Sequence, residues 1–117
     1  MSTLRVNTLQ NTSGVEVYTA KAWVNFNGVG TVSIRAAGNV SSVSDNGVGD
    51  YTVNFTTAMT DANYSVVSSG QGYTATPTVA LQGPAVYTLA TGNFSVATGS
   101  NTNGAGDWPV VCLAVFR

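Results

Sequence analysis

Polar breaks cut this chain at short intervals. They fall at Asn11–Gly14, Asn27–Gly30, Ala37–Asn39, Asp45–Asp50, Thr57–Asn63, Gly70–Gly72, Gln82–Pro84, Thr91–Asn93 and Gly99–Gly106. The runs between them are rich in Val, Thr, Tyr and Phe, and none has a convincing 3.6-residue apolar period. Many strands with closely spaced turn signals point to a sandwich or a barrel. The runs predict strands over 3–9, 15–26, 31–35, 39–44, 50–56, 63–69, 78–82, 85–90, 93–98 and 108–116. Within them, Tyr51, Val53 and Phe55 alternate with Thr52, Asn54 and Thr56, so one side is expected to be buried and the other wet. Val32 and Ile34 alternate in the same way with Thr31, Ser33 and Arg35.

Composition narrows the class further. Of 117 residues, 51 are Gly, Ser, Thr or Asn, 18 are Val, and only 8% are charged. Apolar residues make up 44% and the net charge is −1, a balance unlike that of a disordered chain. Four Lys+Arg leave no footprint for nucleic acid and no polybasic membrane site. No apolar run is long enough to span a bilayer, and the start, Met1–Asn7, has no apolar stretch of the signal-peptide kind. The expected product is an ordered β protein made in the cytoplasm, without cross-links, its polar surface built from amides and hydroxyls.

Catalytic chemistry has little to work with. The chain has no histidine, which removes the commonest general base and metal ligand. One cysteine, Cys112, makes neither an internal disulfide nor a zinc site, and its apolar strand marks it as a buried, inert thiol. Asp45, Asp50, Asp61 and Asp107 all fall in predicted turns, where Asp bonds to nearby backbone. Asp45, Asn46 and Asp50 around Gly47 and Gly49 are the one candidate for calcium. Their spacing departs from the calcium-loop pattern, and the closing glutamate is absent. Gly28–Gly30 and Gly47–Gly49 lack the helix and lysine of a phosphate loop and read as turns. No enzyme activity and no cofactor is expected. Sugar binding is the small-molecule activity that the composition permits, and Tyr73, between Gly70–Gly72 and Thr74–Pro77, is the candidate receptor contact.

Two strands have apolar residues in both phases. In 108–116, Trp108, Val110, Cys112, Ala114 and Phe116 face one way, and Pro109, Val111, Leu113 and Val115 the other. A thin sandwich covers one face of each sheet, so the second needs a loop or another copy of the chain. Trp23 poses the same question opposite Val24 and Phe26. The expectation is a contact between copies of the chain, with Trp23, Val111, Leu113 and Val115 at it. Residues 1–20 are set apart by Asn11–Gly14. They form an expected attachment arm with Leu4, Val6 and Leu9 as its apolar contacts, while 21–117 form the sandwich.

Residues Ala20–Gly28 (AKAWVNFNG), Thr31–Ala37 and Asn39–Tyr64, the last containing SVSDNGVGDYTVNFTTAMTDANY, carry a likeness to a known module. The stretch resembles the C-terminal region of bacteriophage tail fibre and virion surface proteins of marine and cyanobacterial phages. Ser2–Gly14 resembles the start of many such proteins; 65–117 match only in style. The resemblance implies a β-rich, homotrimeric virion component and contributes no catalytic residues. With no shaft between arm and module, two roles follow. One is a short tail fibre or tail-tip adhesin, touching other virion proteins and a host surface glycan. The other is a head fibre or decoration protein on the capsid. The resulting expectation of fold is an all-β, antiparallel, jelly-roll-like β-sandwich with an extended N-terminal arm.

Overall fold

A computed structural model describes residues 3, 5–72, 81–100 and 104–117, with 81–83 as backbone only. The described residues contain nine strands and no helix. The strands are β1 (Ala22–Asn27), β2 (Ser33–Gly38), β3 (Val40–Gly47), β4 (Asp50–Phe55), β5 (Ser65–Gln71), β6 (Leu81–Leu89), β7 (Asn93–Ser100), β8 (Gly104–Ala105) and β9 (Val110–Phe116). They form two antiparallel sheets, one ordered β2-β1-β9-β5 and the other β3-β4-β7-β6, with β8 beside β7. The molecule is a β-sandwich.

Alternation builds the core. Tyr51, Val53 and Phe55 of β4 turn inward beside Phe94 and Val96 of β7, where Tyr51 pairs with Val96 and Val53 with Phe94. From the facing sheet come Ala22, Val24 and Phe26 of β1 and Val111, Leu113 and Val115 of β9. Phe26 meets Tyr51 edge-on at 5.2 Å, and Phe55, Tyr64 and Phe94 form a second aromatic group with centroids 5.6–6.3 Å apart. These edge and tilted contacts suit rings whose faces are electron-rich and whose edges are not.

Strand β9 resolves the two-phase problem. It lies between β1 and β5, with Val24 opposite Leu113 and Ser68 opposite Leu113 on the other side. Val111, Leu113 and Val115 face the opposing sheet and sit in the chain's own core, not on a face left for a neighbour. Sheet-on-sheet packing covers them, and sequence alternation could not say which phase that would be. The outer phase is Val110, Cys112, Ala114 and Phe116. Cys112 is accordingly half-buried on the outside, a correction to the buried thiol. Trp108 leaves the phase of the strand that follows it and is buried.

Other expectations shift. The strand at 3–9 is absent from the described residues there, and 15–26 is a strand only from Ala22. Extended backbone without a neighbour has nothing to pair with, and the arm has only its own return. Of the expected strands 78–82 and 85–90, residues 78–80 lie outside the described residues and 81–82 and 85–89 fall in one strand, β6, whose register slips between Gln82 and Ala85. A proline at such an irregularity on an edge strand costs no ladder bond. On the edge strand β2, Arg35 is the extra residue where the register slips opposite Asn25 and Phe26; Ile34 beside it is 38% exposed, while Val32, before the strand, packs against the core.

Candidate functional site

The strand directions give the molecule two ends. β1 begins, and β5 begins, where β9 ends; the arm and Arg117 therefore share one end. The turn at 47–49 and the β1–β2 loop lie at the other, as does the start of β6. The described dimensions are 48 × 29 × 27 Å, so the ends are well separated.

The arm is a small hairpin. Gln10 and Glu16 form an isolated bridge, and Val17 N–H donates to the Leu9 carbonyl at 2.6 Å. Asn11 shapes the turn: its side-chain oxygen accepts from the N–H groups of Ser13 (2.9 Å) and Val15 (3.1 Å). Gly14 completes it at φ 81°, a left-handed conformation that a side chain would strain. Opposite pairing puts Leu9 and Val17 on one face, joined by Val15 two residues away. Every described residue from 3 to 20 is exposed, including Val6, Leu9, Val15, Val17 and Tyr18, the last at 78%. Between arm and sandwich lies a cleft of about 500 Å³ lined by Val6, Leu9, Val17, Tyr18, Lys21 and Phe116, among others. Leu4 lies outside the described residues.

The corner beneath the arm is locked by Asn39, where the chain leaves one sheet for the other. Its φ is 54°, uncommon for any residue but glycine and best tolerated by Asn. The side-chain amide donates to the carbonyls of Lys21 (3.0 Å) and Thr57 (3.1 Å), and its oxygen accepts the Thr57 N–H at 2.7 Å. Arg117 grips Asp61 nearby through Nε–Oδ1 at 2.9 Å and Nη2–Oδ2 at 2.7 Å. That guanidinium, with the Asn63 N–H, lowers the Asp61 carboxyl from 3.8 to about 2.

The opposite end is held by Tyr51 and Asp107. The buried phenol donates to Asp107 Oδ1 at 2.8 Å, with the Gly28 carbonyl at 3.0 Å as a second acceptor. The same carboxylate oxygen accepts the Gly49 N–H at 2.8 Å. Burial first, and then the carboxylate bond, push the phenol far above its ordinary value. Gly28 and Gly49 are required by closeness: an added Cβ would lie 2.4 Å from the Tyr51 oxygen or 2.3 Å from the Thr98 carbonyl oxygen. Asp107 thus ties the β1–β2 loop, the β3–β4 turn and the approach to β9 together. Nothing in the sequence signals this, since its partners lie 56 and 58 residues away.

The remaining sequence candidates are dispersed. Asp45 accepts the Gly47 N–H at 3.1 Å and Asp61 the Asn63 N–H at 2.9 Å, the turn roles expected of them. Asn46 donates to Thr52 (2.8 Å) and Asp50 bonds to Tyr87, so the three calcium candidates turn to three different partners. Among the described residues no group of three or more His, Cys, Asp or Glu side chains is placed to hold a metal ion. Trp23 is 44% exposed on the outer face, its indole lying over Gly38. The register sets Trp23, Ala114 and Val67 side by side across three strands, an apolar row that alternation alone could not assemble. Tyr73 lies outside the described residues. No family model, no curated protein and no solved structure matches the chain.

Proposed function

We propose that this protein is a non-enzymatic structural component of a bacteriophage virion surface, a short trimeric tail fibre or tail-tip adhesin anchored by its arm. The observation that carries the reading is the arm itself, an apolar hairpin exposed along its described length at one end of a closed sandwich. In this reading the arm's Val6 and Leu9, with Val15 and Val17, seat on a neighbouring virion protein, and the far end points to the host. Trp23, Val67 and Ala114 supply contacts between copies of the trimer. The likeness of Ala20–Tyr64 to phage surface modules gives the reading its setting.

The second reading is a head fibre or decoration protein on the capsid, which the same exposed arm would seat on a capsid protein. Immunogold labelling of intact particles separates the two: label at the tail supports the first reading, and label over the head supports the second. Label on neither overturns both.

A further inference from the structure

We infer that the outer face of the five-stranded sheet binds a neutral oligosaccharide, with Tyr87 as its stacking platform and Asp50, Thr52 and the Asn54 ladder as its polar floor. This rests on and deepens the adhesin reading, for which a host surface glycan is the expected partner, by naming the face and the class of glycan.

Tyr87 is the extra residue at the slip between Val86 and Thr88, an irregularity of the kind that re-aims a side chain. It is 56% exposed, and its phenol bonds to the Asp50 carboxylate on β4. β6 and β4 are separated by β7. Neighbouring strands lie about 4.8 Å apart, so the Tyr87 and Asp50 side chains must together bridge roughly 10 Å of sheet to make that bond. The ring therefore lies down across β7. Ser95, buried despite its outward phase, lies within hydrogen-bond reach of the Tyr87 hydroxyl, while Tyr87 itself stays largely exposed. The bond to Asp50 holds the ring there.

Beside the ring lies a fixed array of hydroxyls and amides. Thr52 and Ser95 share a bond of 3.1 Å, and Asn46 donates to Thr52 at 2.8 Å. The Asn54 amide donates to Ser42 at 3.1 Å and Ser44 at 3.0 Å. These bonds set the side chains in place without exhausting them. Both serine hydroxyls accept there, which leaves their protons to donate, and the second Asp50 oxygen is a further acceptor. A sugar ring offers what this face lacks: a face of C–H groups for the aromatic ring and hydroxyls that donate and accept.

Charge selects among sugars. β3, β4, β6 and β7 contain no Lys or Arg, and all four basic residues, Arg5, Lys21, Arg35 and Arg117, lie on the arm or on the strands of the other sheet and their ends. A face whose charges are carboxylates repels anionic polymers and accepts neutral ones.

The test is a ¹H–¹⁵N titration of the full chain with chitohexaose, cellohexaose and mannohexaose, each to millimolar concentration, with heparin as the anionic probe. Binding of at least one neutral hexasaccharide is expected, with shifts centred on Asp50, Thr52, Tyr87 and Ser95. Tyr87→Ala should weaken it at least tenfold while leaving the rest of the spectrum native-like, and Tyr87→Phe should weaken it less. No shift with any neutral probe, shifts at other residues, an unaffected Tyr87→Ala, or preference for heparin each overturns the proposal. None of these results bears on arm-mediated attachment, which is read on particles.

Discussion

Single side chains close both ends of this sandwich. Tyr51→Phe keeps the ring in the core but deprives Asp107 and the Gly28 carbonyl of the phenol proton. The expected cost is about 1–3 kcal/mol, read by urea unfolding. Asn39→Ala loses three bonds and places alanine at a left-handed φ, for an expected loss of about 2–3 kcal/mol. Asn39→Gly should recover the conformational part only. The Asp61–Arg117 pair sets an acid limit. Because the folded carboxyl sits at about 2 against an ordinary 3.8, its stabilisation is present above about pH 4. It fades as the pH falls through 2. Asp61→Asn should remove that part of the acid slope in a pH series of unfolding curves, a small part because the pair is solvent-exposed. The turn roles of Asp45 and Asp61 were legible because an Asx bond spans two residues. Asp107 was not, because its partners are brought to it by sheet packing.

At the scale of the strand, alternation told more about faces than about sides. The phase of β4 was legible from Tyr51, Val53 and Phe55, since its other phase is polar. In β9 both phases are apolar, and only its place between β1 and β5 decides that Val111, Leu113 and Val115 go inward. Two substitutions separate the phases. Leu113 is 3% exposed, so Leu113→Asp should bury an unpaired charge and unfold the chain, at several kcal/mol. Val67 is 60% exposed, so Val67→Asp should leave a folded monomer and weaken only the contact between copies. Light scattering after size exclusion, with circular dichroism, reads both outcomes. A folded monomeric Leu113→Asp would contradict the placement of β9. An assembly unchanged by Val67→Asp would remove the outer row from the trimer contact. The merging of two predicted pieces into β6 has a similar cause: Gly83-Pro84 is a turn signal in sequence, yet an edge strand with a register slip accommodates it.

At the scale of the whole molecule, the core is built from residues between Ala22 and Val115, and every described arm residue is exposed. The described arm residues, 3 and 5–20, make their backbone bonds within their own hairpin. Removing residues 2–14 should therefore shift the sandwich's unfolding free energy by no more than ~0.5 kcal/mol. The turn at Asn11–Gly14 was visible in the sequence, but the hairpin it closes was not, because the expected 3–9 strand had no identifiable partner. The most direct measurement is the amount of chain carried by purified phage particles when the host supplies either the full protein or the 2–14 deletion. The full chain is expected on the particle surface, and the deleted chain, equally folded in the lysate, is expected to be absent from particles. Equal incorporation of the two chains would contradict this expectation.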